Sequence, residues 1–459
     1  MEEISLDVAI IGIGTAGRFA LGPVSEKTEN FRIFEGGGEG TTCARIGCMP
    51  SKAFIHVADM VKSTDSFPDM GIQIDDLHVD GKKAMRYVRE KRDALVKDTI
   101  KKYDYVRDKV VNEYAQFVAP MTLKAGGNIY RCKSIIIATG SKPIIPRGWH
   151  LVPNRIITTD AFFEQNSIPD SALVVGLGFI GIEIGQALSR MGSKVTGAEM
   201  LDAVAGLQDP EIEKELRALV GEEIAIKMKT MAFLDSVGDD VGVTLRNTET
   251  GEEEKCRFDL VILATGRKPN LQYLKLENSD LGLDNRGVPA HDEKTLQCSD
   301  QRVFIAGDAN GVKPLQHEGA DEGVIAGRNA VADDELAKLK RRVPLQITFT
   351  DPNSCSVGKR YNELEPDSFV IAEGDFRLQG RAHIMDIYKG KLHVYIDKKT
   401  RKIVGAELVA PGGEHIAHLI GSFIAAGLTI DEAVRLPYYH PTLEEALAKA
   451  LGEALGELR

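Results

Sequence analysis

The chain has 459 residues, which at about 150 residues per domain predicts about three domains. Its hydrophobic content of 43% and charged content of 27% are those of an ordinary globular protein. The net charge of −11 disfavours binding to nucleic acids and anionic membrane surfaces, because like charges repel. Glycine is the unusual component, at 45 residues where an average composition would give about 32.

The chain shows no sign of export or membrane insertion. No uncharged apolar run reaches the roughly 18 residues that a membrane span requires. The acidic start, MEEISLDVAII, lacks the basic region and cleavage site of a signal peptide. Six cysteines are too few for a secreted disulfide scaffold. We therefore expect a cytoplasmic protein.

Apolar runs that end in glycine recur from the N-terminus onwards. Nearly continuous apolar runs are typical of strands buried on both faces of a parallel sheet. These predicted strands span residues 6–11, 134–138, 172–175, 259–264 and 302–306.

Two other segments have a different pattern. Residues 81–107 are highly charged, and the mixture of signs predicts a solvated helix more than a nucleic-acid surface. After Pro344, residues 345–410 alternate as strands and residues 414–459 have the pattern of helices. That change predicts a separate α+β domain at the C-terminal side.

Two glycine motifs predict two dinucleotide sites. Each has the form G-x-G-x-x-G, follows a predicted strand and is followed by an acid at the end of the next strand. The glycines let the backbone approach a pyrophosphate at a helix N-terminus, and the acid binds a ribose. The acid of the second motif would repel a 2′-phosphate, which favours NAD over NADP. The motif residues are Gly12, Gly14, Gly17 and Glu35 in the first site, and Gly176, Gly178, Gly181 and Glu199 in the second.

Cys43 and Cys48 are the cysteines with a suggestive spacing. A zinc site would need two further ligands at matching spacing, so a redox-active disulfide fits better. Five residues of regular helix rise about 7.5 Å, beyond the usual Cα separation of about 6.8 Å for a disulfide. We therefore expect a distorted backbone here, with Gly47 supplying the freedom.

Taken together and in order, these motifs resemble the flavin-dependent pyridine nucleotide–disulfide oxidoreductases, and among them the dihydrolipoamide dehydrogenases. The resemblance extends over essentially the whole chain. Besides the glycine motifs, it is carried by residues 43–52, 138–140, 264–270, 306–308, 349–352 and 440–445.

The resemblance implies an α/β fold, with two doubly wound, Rossmann-like dinucleotide-binding domains and a C-terminal α+β dimerisation domain. Residues 1–145 and 271–343 would bind FAD, residues 146–270 would bind NAD, and residues 344–459 would form the dimerisation domain. The implied cofactor contacts are the motif residues together with Thr42, Lys52, Ala115, Thr139, Gly140, Gly266, Arg267, Asp308, Leu315 and Gln316.

The same resemblance implies the catalytic roles. Cys48 would lie against the flavin and Cys43 would face the substrate, while Lys52 would lie near the flavin, paired with Glu183. A dithiol reacts as a thiolate, so a base is needed, and His440 is the best candidate. Pro441 suits the first turn of the following helix.

In the same turn, Glu445 can reach back to orient the His440 ring. In the family this pair of a histidine and a glutamate reaches the site of the other subunit, so we expect a homodimer. We expect no metal.

The sequence departs from the family at three places and leaves several functions open. Thr41 stands where glycine is commoner, Glu444 where serine is commoner, and Gln316 to Glu318 replace the commoner Ala-His-Lys. We predict oxidation of protein-bound dihydrolipoyl groups with reduction of NAD. The open alternatives are a glutathione-type reductase of another small disulfide, a mercuric reductase (disfavoured because no cysteine pair ends the chain), a homologue serving a non-standard lipoyl carrier, and a non-catalytic scaffold.

Overall fold

The structure, a computed structural model, describes residues 2–458. Met1 and Arg459, which belong to the predicted domains 1–145 and 344–459, lie outside the described residues. The chain forms two compact units. Unit 1 comprises residues 1–50, 87–144 and 266–341, and unit 2 comprises residues 51–86, 145–265 and 342–459. The division into FAD, NAD and dimerisation domains stays a prediction.

The helices are α1 (Thr15–Ser25), α2 (Thr42–Arg45), α3 (Cys48–Ser63), α4 (Gly81–Lys101), α5 (Phe179–Arg190), α6 (Pro210–Gly221), α7 (Gln316–Ala330), α8 (Gly380–Ile384), α9 (Gly413–Ala426), α10 (Ile430–Ala433) and α11 (Glu445–Glu457). The charged helix predicted over residues 81–107 corresponds to α4, which ends earlier, at Lys101.

The strands are β1 (Glu3–Ile11), β2 (Phe31–Phe34), β3 (Val110–Val111), β4 (Gln116–Ala119), β5 (Thr122–Ala125), β6 (Asn128–Ile137), β7 (Ser141–Pro143), β8 (Ile156–Thr158), β9 (Ser171–Val175), β10 (Lys194–Ala198), β11 (Ala225–Lys227), β12 (Thr230–Val237), β13 (Val241–Asn247), β14 (Glu253–Phe258), β15 (Leu260–Leu263), β16 (Arg267–Pro269), β17 (Val303–Ile305), β18 (Leu345–Thr348), β19 (Asn353–Gly358), β20 (Phe369–Asp375), β21 (Lys391–Asp397) and β22 (Ile403–Ala410). Each of the five predicted strands corresponds to one of these.

Unit 1 is built on one large sheet with the order β3-β2-β1-β6-β5-β4, and β17 also pairs with β6. The pairs of β1 with β2 and β6, and of β17 with β6, are parallel. Their registers align the last residues of four strands, Ile11, Phe34, Ile137 and Ile305. Because parallel strands end at one edge, the segments after these residues meet there.

Helices α1 and α7 pack tightly against each other in unit 1. A Cβ on Gly323 would lie 2.2 Å from the Ala16 carbonyl oxygen, and one on Gly327 would lie 2.4 Å from that of Ala20. Two glycines one turn apart thus let the helix backbones touch. Part of the glycine excess therefore serves helix packing in addition to the cofactor loops.

Unit 2 contains a parallel sheet and two antiparallel sheets, the smaller of which has the order β12-β13-β14. The parallel sheet has the order β11-β10-β9-β15-β8, and its strands end together at Val175, Ala198, Leu263 and Thr158. The larger antiparallel sheet has the order β18-β19-β22-β21-β20, and α9 and α11 pack on it around a buried apolar core. The predicted α/β fold class, with its C-terminal α+β part, is confirmed.

Candidate active site

The first glycine loop lies at the carboxyl edge of the sheet in unit 1, between β1 and α1. Gly12 has φ +97°, and a Cβ there would lie 2.5 Å from the Ala138 carbonyl oxygen. A Cβ on Gly17 would lie 1.9 Å from the Gly12 carbonyl oxygen, whereas Gly14 faces open space within 4 Å. The loop is therefore closed against the sheet and open at the N-terminus of α1, where a pyrophosphate would bind.

Glu35 follows β2 at the same edge and ties the loop down. One of its carboxylate oxygens accepts a hydrogen bond from the Ile13 backbone N–H at 3.0 Å, and the other accepts one from Gly37 at 2.8 Å. A carboxylate has about four lone-pair positions. Two of these positions are thus used by backbone groups, and the others can accept from a ribose.

Two predicted residues, Asp308 and Arg267, are connected through Ser141, which was not predicted. The Ser141 hydroxyl donates to Asp308 Oδ2 at 2.6 Å, and Arg267 donates from Nε to the Ser141 hydroxyl oxygen at 2.9 Å. The nearby Thr139 hydroxyl is buried without a hydrogen-bond partner in residues 2–458. Gly140 has φ +68° and open space around its Cα. An orphaned hydroxyl beside an open glycine fits a polar ligand such as FAD.

A buried ionic group supports the turn that carries Asp308. Glu322 Oε2 accepts from the Gly307 backbone N–H and from the Asn310 amide, both at 2.7 Å. Arg341 pairs with Glu322 at 2.9 Å and with Glu318 at 2.7 Å. Burial raises the pKa of Glu322. The departure at Glu318 therefore places a carboxylate against Arg341, and sequence analysis missed Glu322 and Arg341.

The remaining contacts predicted for FAD, together with Gly266, lie at strand and helix ends of unit 1. Ala115 is buried immediately before β4, Leu315 precedes α7, and Gln316 is its first residue. Gly266 has φ +91°, and its carbonyl oxygen accepts from the Ile144 N–H at 2.9 Å.

The second glycine loop, in unit 2, repeats the geometry of the first. Gly176 has φ +94°, and a Cβ there would lie 2.6 Å from the Ala264 carbonyl oxygen. A Cβ on Gly181 would lie 2.0 Å from the Gly176 carbonyl oxygen, and Gly178 faces open space. The residues present therefore fit a second dinucleotide.

Glu199 closes the second loop as Glu35 closes the first. It is buried at the end of β10, where it accepts from the Leu177 N–H at 2.6 Å and the Leu201 N–H at 2.9 Å. Two backbone N–H donors therefore fix the orientation of the Glu199 carboxylate. A fixed carboxylate at this position disfavours an additional phosphate.

The two candidate redox cysteines lie on separate helices. Thr41 caps α2 by accepting from the Ala44 N–H at 3.1 Å, Thr42 is the first residue of α2, and Cys43 is half-buried. Cys48 is exposed and begins α3. The backbone between Cys43 and Cys48 thus leaves helical geometry, as expected.

Gly47, which lies between the two cysteines, has a different role from the expected one. Its φ is not positive, and a Cβ there would lie 3.2 Å from the Thr42 carbonyl oxygen. Gly47 therefore permits a close approach of the backbone rather than a left-handed turn.

The cysteines differ in electrostatic environment. Burial lowers the pKa of Arg18, while attraction to the negatively charged thiolate form of Cys43 acts in the opposite direction. An arginine near a thiol favours the thiolate. Burial raises the pKa of Cys132 and Cys298 to about 12, and it raises that of Cys355. The latter three thiols stay protonated at neutral pH.

Lys52 and Glu183 form the predicted ion pair in unit 2. Lys52 Nζ lies 2.8 and 3.1 Å from the two carboxylate oxygens of Glu183, which is 6% exposed. The Phe349 backbone N–H also donates to Glu183, at 2.8 Å, and the Phe349 ring lies 4.3 Å from Lys52 Nζ. The pair therefore joins helices α3 and α5 and is held by Phe349, in the segment before β19.

His440 and Glu445 form the predicted dyad. His440 Nδ1 lies 2.9 Å from Glu445 Oε1, and the other Glu445 oxygen accepts from the Thr442 N–H at 3.0 Å. These hydrogen bonds, with that of His440 the stronger influence, lower the pKa of Glu445. Placing Pro441 in the first helical turn was wrong, because α11 begins at Glu445 and its carboxylate holds the preceding turn. The His440 side chain is 82% exposed.

Two strand-ending glycine loops, each closed by an acid, together with a cysteine pair, define a dinucleotide-dependent oxidoreductase. The family described as pyridine nucleotide-disulphide oxidoreductase matches residues 6–325, and its dimerisation domain matches residues 345–451. The chain belongs to this family. The predicted family, and FAD with a pyridine nucleotide as cofactors, are thereby confirmed, and the dimerisation domain supports a homodimer.

Relatives agree with this family, and a solved structure agrees with the fold. Dihydrolipoyl dehydrogenase 1, mitochondrial, of Arabidopsis thaliana is 29% identical, covering 97% of this chain and 89% of that protein. Dihydrolipoyl dehydrogenase of Geobacillus stearothermophilus is 28% identical, covering 99% and 97%. The HOCl-induced flavoprotein disulfide reductase RclA of Escherichia coli covers 98% of this chain and 100% of that chain at a TM-score of 0.82. At 20% identity, that likeness shows the fold.

Within residues 2–458, no helix combines the length and the apolar character that crossing a membrane requires.

Proposed function

We propose that this protein oxidises protein-bound dihydrolipoyl groups to the disulfide and reduces NAD, with Cys43 and Cys48 as its redox-active disulfide. The observation that carries the proposal is the 2.9 Å contact between His440 and Glu445. A dithiol donor must lose protons to react, and an imidazole oriented by a carboxylate is suited to accept them. The relatives named dihydrolipoyl dehydrogenase support the choice of donor.

The proposed thiol chemistry is two exchanges. The first thiolate of the dihydrolipoyl group attacks Cys43 Sγ, which breaks the Cys43–Cys48 bond and leaves Cys48 as a thiolate. The second lipoyl thiolate then displaces Cys43 and closes the lipoyl disulfide. His440 accepts the proton of the first attacking thiol, and Glu445 stabilises the imidazolium. The proton of the second lipoyl thiol passes to the Cys43 thiolate as that thiolate leaves. Two electrons thereby pass from the donor to the two cysteines.

The remaining residues bind and orient. When bound, FAD and the nicotinamide supply the two-electron transfer from the cysteines to NAD. We propose that Glu35 and Asp308 hold FAD with the first glycine loop, and that Glu199 holds the NAD ribose with the second. Lys52, held in place by Glu183, would present its ammonium group to the flavin. In a homodimer, His440 would serve the site of the partner subunit.

The test compares two donors and two nicotinamides under identical conditions. We expect rapid NAD reduction by free dihydrolipoamide, and little oxidation of NADPH or NADH by glutathione disulfide. A Cys43→Ser variant should lose dihydrolipoamide turnover and keep bound flavin, while the half-buried Cys256→Ser serves as the control. A higher rate with glutathione disulfide and NADPH would overturn the proposal and favour a glutathione-type reductase.

A further inference from the structure

Helices α3 and α5 are joined by two ion pairs at equal spacing. The first is Lys52 with Glu183, and the second is Asp59 with Arg190, whose Nη1 lies 2.6 Å from Asp59 Oδ1. Asp59 lies seven residues after Lys52, and Arg190 lies seven residues after Glu183. Seven residues are about two helical turns, or roughly 10.5 Å. The two helices therefore run in the same direction with one fixed register.

The polarity of the two pairs is reversed. The cation of the first pair is on α3, whereas the cation of the second is on α5. If one helix slid two turns past the other, Lys52 would face Arg190 or Asp59 would face Glu183. Such like-charge contacts disfavour the wrong register, while the native pairs favour the right one.

Arg190 is the centre of the second pair. Its side chain is 3% exposed, and it also donates to Glu223 at 2.7 and 2.8 Å and to Asp351 at 3.0 Å. Gln186, on the same helix, donates to Glu223 at 2.7 Å and accepts from the Asp351 N–H at 3.0 Å. A buried guanidinium with this many acceptors has a single favourable orientation.

One short segment connects the two pairs. Phe349 donates to Glu183 and lies under the Lys52 ammonium, while Asp351, two residues later, binds Arg190. A displacement of Arg190 therefore reaches the first pair through α3, α5 and the segment 349–351.

We propose that Arg190 is a positioning residue that fixes the register of Lys52 against Glu183 and thereby sets the electrostatic environment of the redox-active Cys48. This rests on the proposed function in assigning Cys48 and Lys52 to the flavin side of the site. Arg190 itself binds Asp59, Glu223 and Asp351, none of which is a reacting group. Its effect is transmitted by the two ion pairs and the segment 349–351.

The experiment uses the flavin-loaded protein and three variants. Arg190→Lys keeps the charge but loses the planar fork, Asp59→Asn removes one partner, and Arg217→Lys is the control on α6, where Arg217 pairs with Glu213. The readout is the pH dependence of the long-wavelength thiolate-to-flavin absorbance of the two-electron-reduced protein. We expect its midpoint to shift in Arg190→Lys and Asp59→Asn and to match wild type in Arg217→Lys.

A second readout separates positioning from loss of stability. FAD affinity is measured for the flavin-free protein in a double-mutant cycle of Asp59→Asn with Lys52→Met. We expect non-additive effects on FAD affinity, because independent sites add and coupled sites do not. Additive effects together with an unshifted absorbance midpoint, even with a lower melting temperature, would overturn the proposal. If wild type shows the absorbance band but does not use dihydrolipoamide, the proposed substrate fails while this inference stands.

Discussion

At the scale of single residues, the dyad makes the sharpest prediction. Because Glu445 holds His440 through a 2.9 Å contact, replacing His440 with Gln should remove the base and Glu445→Gln should leave the ring misoriented. We expect dihydrolipoamide turnover to fall by roughly 10² to 10⁴-fold for His440→Gln, the range of general-base catalysis. The turnover of the Glu445→Gln variant should fall by a smaller factor. Equal turnover in wild type and His440→Gln, measured at saturating donor, would refute the assignment.

Glu199 should set the choice of nicotinamide. Its carboxylate is held toward the second loop by two backbone donors, so Glu199→Ala removes both a ribose acceptor and a charge that repels the 2′-phosphate. We expect weaker NAD binding, by roughly tenfold or more for a lost charged hydrogen bond, and a smaller preference over NADP. Equilibrium titration of both nucleotides checks this, with Glu254→Ala at the exposed surface as control. An unchanged preference would contradict it.

Glu407 provides a prediction about pH and stability. Burial raises its pKa above the ordinary value of 4.5, although it accepts from the backbone N–H groups of Gln208, Asp209 and Tyr361. A raised folded pKa means that the protonated form contributes stability below pH 4.5, and this contribution is lost as the pH rises through the folded pKa. The Glu407→Gln variant should lack this decline, as urea unfolding at a series of pH values would show. If the stability of wild type and of Glu407→Gln changed with pH in the same way, Glu407 would not be the source of the decline.

At the scale of elements, the glycines of α7 make a prediction about stability. A Cβ on Gly323 would lie 2.2 Å from a backbone oxygen of α1, so Gly323→Ala must push the two helices apart. We expect the free energy of unfolding to fall by about 1–3 kcal/mol, the usual cost of overpacking. Gly452→Ala is the matched control, because that glycine of α11 faces open space. The free energy of unfolding of this control should rise by up to about 1 kcal/mol, because alanine favours a helix more than glycine does. Equal unfolding midpoints would contradict the expectation.

The helices and strands also show which structural features a local sequence pattern can predict. The parallel strands and both glycine loops follow from local periodicity, and their edges come together because parallel strands share a carboxyl end. The start of α11 was missed, since it depends on the Glu445 carboxylate holding the turn before it. The sequence around Glu318 gives no indication of its structural role either, because its partner Arg341 lies 23 residues further along the chain. Properties that depend on distant partners are invisible to a local pattern.

At the scale of the whole molecule, the proposed homodimer has a direct test. If His440 serves the partner subunit's site, Cys43→Ser and His440→Gln chains in one dimer leave one site intact. Random mixing of the two inactive chains at equal amounts should therefore restore about a quarter of wild-type turnover, because half of the dimers are hybrids with one working site each. The control is mixing either variant with itself. No restored turnover after confirmed subunit exchange would place His440 in the site of its own chain.

The interval between Cys43 and Cys48 also has a consequence for chemical analysis. Arg45 lies between the two cysteines, and Lys52 follows the second, so trypsin would separate them into the peptides IFEGGGEGTTCAR and IGCMPSK. A bond between Cys43 and Cys48 would keep these two peptides covalently joined. The deeply buried Cys132, Cys298 and Cys355 would react slowly with an alkylating reagent before digestion. The oxidation state of the enzyme in a cell extract can thus be read by mass spectrometry as the ratio of one joined peptide to its two alkylated halves.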